Sequence, residues 1–299
     1  MAAVGDILAR ELPGLEREIP LAPHCAYRVG GPAEFLVAAH TTEALRHAVV
    51  VGGQLGLPVT VLGQATNVLV SDDGLRGLVV LARNDDVQLT DELLVAGAGA
   101  LLPQVVEEVV AHSLAGLEFA ANIPGSIGGA VVGNAGAYGR AVADALVRVR
   151  LLAAGDEQMV APAVLGFGYR SSDLKRSPGT VVLEATFALT GGDRDTLQRE
   201  IARDAELRRS RHPLEYGSCG SYFKNPSPQN PAARLIEEAG LKGFCLGRAQ
   251  VSTKHANFLV ALPQAGAGDI RRLADEVKRR VLEQSGTRLE EEVRLLGFS

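Results

Sequence analysis

Tryptophan is absent from this chain of 299 residues, and only 13 residues are tyrosine or phenylalanine, so base-stacking platforms for single-stranded nucleic acid are poorly supplied. Positive charge is not in excess either. The formal net charge is -5, which excludes a global basic footprint for nucleic acid and leaves local contacts for any anionic small molecule. Long apolar runs are missing: "RHAVVVGG" and "NFLVALP" fall far short of a bilayer span, so no membrane partner is expected. The N-terminal "MAAVGDILARELPG" has acidic residues where a secretory leader is basic, and a cytoplasmic protein is expected. Cysteine is scarce and odd in number. Cys25, Cys219 and Cys245 form no CxxC, no HExxH is present, and no metal site is expected; each cysteine reads as a small buried hydrophobe.

What is present is glycine. The stretch "EFAANIPGSIGGAVVGNAGAYG", residues 118–139, holds six glycines in 22 residues. Successive main-chain N–H groups bind phosphate, and glycine lets backbone approach closely. The segment "VLGQATNVLVSDDGLRG" offers similar chemistry at Gly63, Thr66 and Asn67. Neither stretch carries the Rossmann fingerprint or the P-loop lysine, and "AGAGALLP" lacks the third glycine. Read alone, these stretches fit a phosphate cradle or tight turns in a loop-rich domain.

Hydrophobic patterning gives strands at 33–39 and 58–62 with a helix between them in "TTEALRHAVVVGGQLGL", which implies a parallel pair with a right-handed crossover. "DVQLTDELLVAGAG" reads as a hairpin turning at Thr90–Asp91, and Leu101, Leu102, Val105, Val106, Val109 and Val110 form a helical stripe. A second hairpin spans "LVRVRLLAAGDEQMVAP", followed by the strand "TVVLEATFAL" and an arginine-rich helix over about 193–209. Ile270, Leu273, Ala274, Val277 and Val281 mark a further helix face, and "RLEEEVRLL" alternates as a closing strand. The fold class is α+β. Three parts are expected: residues 1–85, 86–204 and 205–299.

Four places carry candidate chemistry. In "GFGYRSSDLKRS", Arg170 follows Tyr169 at an expected strand end, where an arginine clamps a carboxylate at two points. In "LEYGSCGSYFKNPSP", Ser221 lies among small residues, its hydroxyl a potential proton donor, with Lys224 and Asn225 close behind. No G-x-S-x-G elbow is present, so a hydrolase nucleophile is not indicated. On the closing strand, alternation puts Glu290, Glu292 and Arg294 on one face, about 7 Å apart in steps of two. Arg211, at the end of the arginine-rich helix before Pro213, is the member of its cluster best placed to enter a site. Each of these residues read singly also fits a solvated face or a turn.

Taken in order, "YRVGGPAEFLV", "IPGSIGGAVVGNAGAYG", "FGYRSS", "GSYFKNP", "AGLKGFCLGRAQVSTKHANFLV" and "LEEEVRLLG" resemble the UDP-N-acetylenolpyruvoylglucosamine reductase family from about residue 20 to 298. The resemblance implies an FAD-binding region of the vanillyl-alcohol-oxidase type in two parts, then a C-terminal substrate domain. It implies NADPH as reductant and UDP-N-acetylglucosamine enolpyruvate as small-molecule substrate; a monomer is expected. Catalytic roles fall to Ser221 as proton donor, with Arg170 and Glu292 stabilising an enolic intermediate; Glu292 must then carry or share a proton. Lys224, Asn225, Arg294, Arg211 and Tyr169 correspond to substrate contacts. Arg28, Gly63, Thr66, Asn67, Pro124, Gly125, Ser126, Gly128, Gly129, Asn134 and Gly136 correspond to cofactor contacts. The sequence departs from the family's G-x-G-S-N, reading "GQATN" with Ala65 and Thr66, and has Gly133 where a larger residue is usual. It resembles the shorter subclass that lacks an inserted tyrosine-bearing loop.

Overall fold

Leu75–Ala82 is apolar on both faces, and all but one of its eight residues are buried. A strand of that kind needs a neighbour on each side. In the computed structural model, which describes residues 2–298, it lies inside a four-stranded sheet ordered Glu16–Pro20, Pro32–Ala39, Leu75–Ala82, Val59–Leu62. The expected direct pairing of strands 33–39 and 58–62 is therefore corrected: Leu75–Ala82 separates them, and Val59–Leu62 runs parallel to Leu78–Leu81.

The chain divides into two units. The first comprises the chain up to Glu18, Glu34–Gln64 and Gly77–Glu206; the second comprises Ile19–Ala33, Ala65–Arg76 and the chain from Leu207 onward. In the first unit, helix α1 (Ala2–Glu11) buries Leu8, and helix α2 (Thr42–Gln54) starts at a Thr41 cap whose hydroxyl accepts from Ala44 N–H at 3.0 Å. Helix α3 (Leu102–Ala111) buries Leu102, Val105, Val106, Val109 and Val110 of the expected stripe, while Leu101 stands at its N-cap, half-buried. A five-stranded antiparallel sheet holds both expected hairpins, in the order Asp156–Val160, Leu146–Ala153, Val181–Ala188, Leu93–Gly97, Val87–Thr90. The first hairpin pairs Thr90 with Leu93, so its turn is Asp91–Glu92, one residue beyond the expected place. The second turns at Ala154–Gly155, both at positive φ, which matches the twist of its strands. Helix α4 (Ile127–Gly133) follows a Ser126 cap, and helix α5 (Arg194–Arg211) buries only Leu197 and Asp204.

In the second unit, helices α6 (Ala232–Glu238) and α7 (Ala267–Ser285) accompany a three-stranded antiparallel sheet of Cys245–Leu246, Ala249–Val251 and Leu259–Ala261. Helix α7 buries all five residues of its expected face. Its first turn is capped by Asp72, whose carboxylate accepts from Ala267 N–H at 2.8 Å and Gly268 N–H at 2.9 Å. The closing strand is shorter than expected: only Arg294–Leu296 is strand, parallel to Val68–Val70. Its partner offers just three residues, and ahead of it Glu291 is drawn into ion pairs with Arg271 and Lys278 of α7. The expectation for the cysteines holds at Cys25 and Cys219, which are buried, but Cys245 is exposed because it lies on an edge strand. The fold is α+β, and among the described residues no helix is long and apolar enough to cross a membrane.

Candidate active site

Ser221 belongs to the second unit and is presented by its neighbours. Tyr222 and Phe223 are almost wholly buried and anchor the segment in that unit's core. Their backbone is held from two sides. Tyr222 N–H donates to Asn257 O at 2.8 Å, and Tyr222 O accepts from Glu292 N–H at 2.8 Å. Lys224 N–H donates to Glu290 O at 2.8 Å. The half-buried Ser221 hydroxyl makes no hydrogen bond within the described residues, so no structural duty explains it.

Glu292 is fastened twice more. Asn67 Nδ2 donates to Glu292 O at 3.2 Å, and Asn67 O accepts from Arg294 N–H at 3.0 Å. The loop carrying Thr66 and Asn67 is thus tied to the segment carrying Glu292 and Arg294. Ala65, buried in the same loop, sits at φ +45°, a region that glycine enters more readily. Lys224 pairs with Glu290, and Asn225 Oδ1 accepts from Ala232 N–H at 3.0 Å, capping α6. Both residues expected to meet substrate therefore also hold local structure. Arg294, Arg211 and Arg28 are exposed, with Arg28 at φ +57°.

In the first unit, Arg170 is not at a strand end as expected. Tyr169 and Arg170 form the tip of a tight turn, because Gly168 and Ser171 pair through N–H···O contacts of 2.9 and 3.2 Å. Arg170 has φ +52°, its carbonyl accepts from Lys175 Nζ at 2.6 Å, and its guanidinium lies 5.9 Å from the centre of the exposed Tyr169 ring. The turn is bound to the glycine-rich stretch: Asn134 Nδ2 donates to Gly168 O at 2.9 Å, and Ser172 Oγ donates to Val132 O at 2.7 Å. Asn134, expected at the cofactor, is buried, and its Oδ1 also accepts from Ala143 N–H at 3.3 Å.

Gly63 and the Pro124–Gly129 turn, both expected at phosphate, meet in this unit. A Cβ on Gly63 would run into the Ser126 side chain, so glycine lets the two segments come this close. Ser126 Oγ itself accepts from Gly129 N–H at 3.4 Å, while Gly128 packs its Cα against Ala98. Gly125 lies at φ +141°, Pro124 and Gly129 are exposed, and a Cβ on Gly136 would strike Arg140 O. Arg83, which the sequence reading missed, supplies charge here: its Nη1 donates to Gly63 O at 2.9 Å, and burial holds its guanidinium pKa below the usual value. The signal available for it was an arginine directly after the apolar strand end "LVVLA".

These residues fit a diphosphate-bearing flavin. Two turns with little side chain come together beside a half-buried arginine, and residues 119–139 contain no acidic side chain. The carboxylate just ahead, Glu118, is neutralised by Arg140. Burial pushes the Glu118 pKa up, but hydrogen bonds from backbone N–H groups and Arg140 outweigh it and hold the group below its usual range. Among the described residues no group of three potential ligands gathers, and burial raises the Cys25 thiol to about 11 and Cys219 well above its usual value.

Comparison with known proteins gives the family. Residues 33–161 match the FAD binding domain model, and residues 212–296 match the model of the UDP-N-acetylenolpyruvoylglucosamine reductase C-terminal domain. The UDP-N-acetylenolpyruvoylglucosamine reductase of Rubrobacter xylanophilus is 44% identical over 97% of this chain and 98% of its own. The protein of the same name from Streptococcus pneumoniae is 42% identical over 94% of this chain and 93% of its own. The crystal structure of the Thermus caldophilus reductase superposes with a TM-score of 0.80 at 37% identity, covering 94% of this chain and 98% of that one.

Proposed function

This chain belongs to the UDP-N-acetylenolpyruvoylglucosamine reductase family and is an FAD-dependent oxidoreductase, and from that premise we propose that it reduces UDP-N-acetylglucosamine enolpyruvate to UDP-N-acetylmuramate with NADPH. The reaction supplies a peptidoglycan precursor, and the enzyme works as a cytoplasmic monomer. FAD, when bound, would supply the two-electron redox chemistry that links NADPH to hydride addition at the enolpyruvyl methylene carbon. Gly63, Thr66, Asn67 and the Pro124–Gly129 turn, with Arg28, Asn134 and Gly136, would hold the flavin, and Arg83 adds positive charge at Gly63.

The chain's own chemistry then follows from charge. Addition at the methylene carbon drives negative charge towards the adjacent carboxylate. Arg170 opposes that charge at two points and is worth more in the transition state than before it. Glu292, carrying a proton, shares the enolic oxygen. Ser221 donates its hydroxyl proton to the neighbouring carbon, which completes the saturated lactyl ether. Lys224, Asn225, Arg294, Arg211 and Tyr169 orient the carboxylate and diphosphate of the substrate. The observation that carries this reading is the Tyr222 peptide: its carbonyl binds Glu292 N–H at 2.8 Å while the adjacent Ser221 keeps a hydroxyl with no structural partner among the described residues.

The test is visible absorbance without oxygen. The purified protein is expected to be yellow, to bleach with NADPH and to recolour with the enolpyruvyl substrate. Recolouring only in air would replace the reductase with an oxidase. Protein that stays colourless when supplied with FAD would sink the flavin assignment.

A further inference from the structure

The motif "KHANF" has no role in the mechanism above, yet its asparagine has an unusual position. Asn257 is 2% exposed, and its side-chain amide grips one residue of the catalytic segment at both ends. Oδ1 accepts from Phe223 N–H at 3.0 Å, and Nδ2 donates to Phe223 O at 2.8 Å. Its main-chain carbonyl also accepts from Tyr222 N–H at 2.8 Å. The amide thus does for Phe223 what a neighbouring strand does, donating and accepting in one plane.

The turn that presents Asn257 is fixed in its own right. Ser252 Oγ accepts from Lys254 N–H at 3.1 Å and His255 N–H at 3.4 Å, and Ser252 N–H donates to Phe258 O at 2.8 Å. His255 Nδ1 accepts from Asn257 N–H at 3.3 Å, which requires a neutral ring with its proton on Nε2. Burial lowers the His255 pKa and favours that form. On the opposite side, Glu292 N–H takes the Tyr222 carbonyl. Residues 222 and 223 are therefore clasped between the Asn257 turn and the Glu292 segment, which fixes where Ser221 stands relative to Glu292.

We infer that Asn257 is a positioning residue for proton donation by Ser221, acting through the Tyr222–Phe223 backbone and not by touching substrate. The inference rests on the proposed reductase reaction. It assigns Asn257 to the half-reaction that needs a proton on carbon and excludes it from flavin reduction. A displacement of about 1 Å in a donor is worth up to about 100-fold in rate.

The test compares wild type with Asn257→Ala and Asn257→Ser, each loaded with FAD, by anaerobic stopped flow. Flavin reduction by NADPH is expected within about 3-fold of wild type, and reoxidation by the enolpyruvyl substrate is expected to slow by about 10-fold to 100-fold. The solvent deuterium isotope effect on reoxidation is expected to rise, because proton donation becomes limiting. Combining Asn257→Ala with Ser221→Ala is expected to slow reoxidation no further than Ser221→Ala alone. Unchanged reoxidation, an equal fall in both half-reactions, or multiplying effects in the double variant would overturn the inference. Hydrogen exchange of the wild-type protein tests the clasp without any variant: the Tyr222 and Phe223 amides are expected to exchange as slowly as the core of α7, and loop-like exchange would remove the clasp. If wild type itself is not reoxidised by the enolpyruvyl substrate, the reaction assignment falls, and the exchange result still decides the clasp.

Discussion

Replacing Ser221 by alanine separates catalysis from folding unusually cleanly. The side chain is half-buried, and its hydroxyl has no hydrogen bond to lose among the described residues, while the segment is anchored by the buried Tyr222 and Phe223. Unfolding free energy is therefore expected to change by no more than about 0.5 kcal/mol. A positioned general acid contributes about 10²- to 10⁴-fold. At about 1.4 kcal/mol per factor of ten, that is roughly 3–6 kcal/mol on the barrier of one step. Anaerobic stopped flow reads the two half-reactions apart at the flavin absorbance. Bleaching by NADPH should match wild type, and recolouring by the enolpyruvyl substrate should slow by about 10²- to 10⁴-fold. Ser221→Cys retains a dissociable proton and should recover part of the loss. Recolouring of Ser221→Ala at the wild-type rate would refute the assignment. So would an equal slowing of bleaching, since Ser221 has no part in that step.

Arg170→Lys keeps the charge but loses the planar two-point donor, and should lower turnover by about 10- to 100-fold, given about 1.5–3 kcal/mol for a charge-assisted hydrogen bond; an unchanged steady-state rate would remove the clamp. Asn84→Ala is expected to destabilise the protein by about 2–4 kcal/mol in urea titration, because the wholly buried Asn84 side chain loses three hydrogen bonds, from Gly99 N–H at 3.0 Å, to Leu183 O at 3.0 Å and to Thr42 Oγ1 at 3.1 Å, each worth about 0.5–1.5 kcal/mol. A loss under about 1 kcal/mol would show that the site relaxes around the gap. Burial, with Arg208, His255 and Arg211 nearby, lowers the His212 pKa from 6.5 to about 4. The folded state then binds fewer protons than the unfolded one between those values, so stability is full above about pH 6.5 and declines towards pH 4. Discounted for partial exposure, the decline is about 1–2 kcal/mol, and His212→Gln should flatten the pH profile of the unfolding midpoint over that window.

The elements that the sequence shows clearly are those whose own side chains decide them. The α7 face from Ile270 to Val281 and the α3 stripe from Leu102 to Val110 are buried as their spacing implies. Elements decided by a partner were harder to read. Leu75–Ala82 takes the central place between two strands that look adjacent in sequence, because its apolarity on both faces can be satisfied only there. The closing segment alternates in sequence, but Val68–Val70 can pair only three of its residues. A cation from α7 can also reach Glu291 only once the helix is in place.

The site follows the same division. The glycines at 63, 125, 128 and 129 stand out by composition, and the meeting of Gly63 with Ser126 explains why bare backbone is needed there. Arg83 and Asn257 do not stand out, because nothing local distinguishes an arginine or asparagine that serves a distant carbonyl from one that faces solvent. Their meaning comes from separation in sequence: 20 residues between Arg83 and Gly63, and 34 between Asn257 and Phe223. The acidic triplet shows how finely that works. Glu290, Glu291 and Glu292 are chemically alike, yet one pairs with Lys224, one with Arg271 and Lys278, and the third gives its backbone to Tyr222 and Asn67. The two flanking ion pairs hold the charges of Glu290 and Glu291, and backbone hydrogen bonds to Tyr222 and Asn67 fix where Glu292 stands. A carboxyl group that is to share a proton with a substrate oxygen must first be held in place, and at Glu292 the backbone does that.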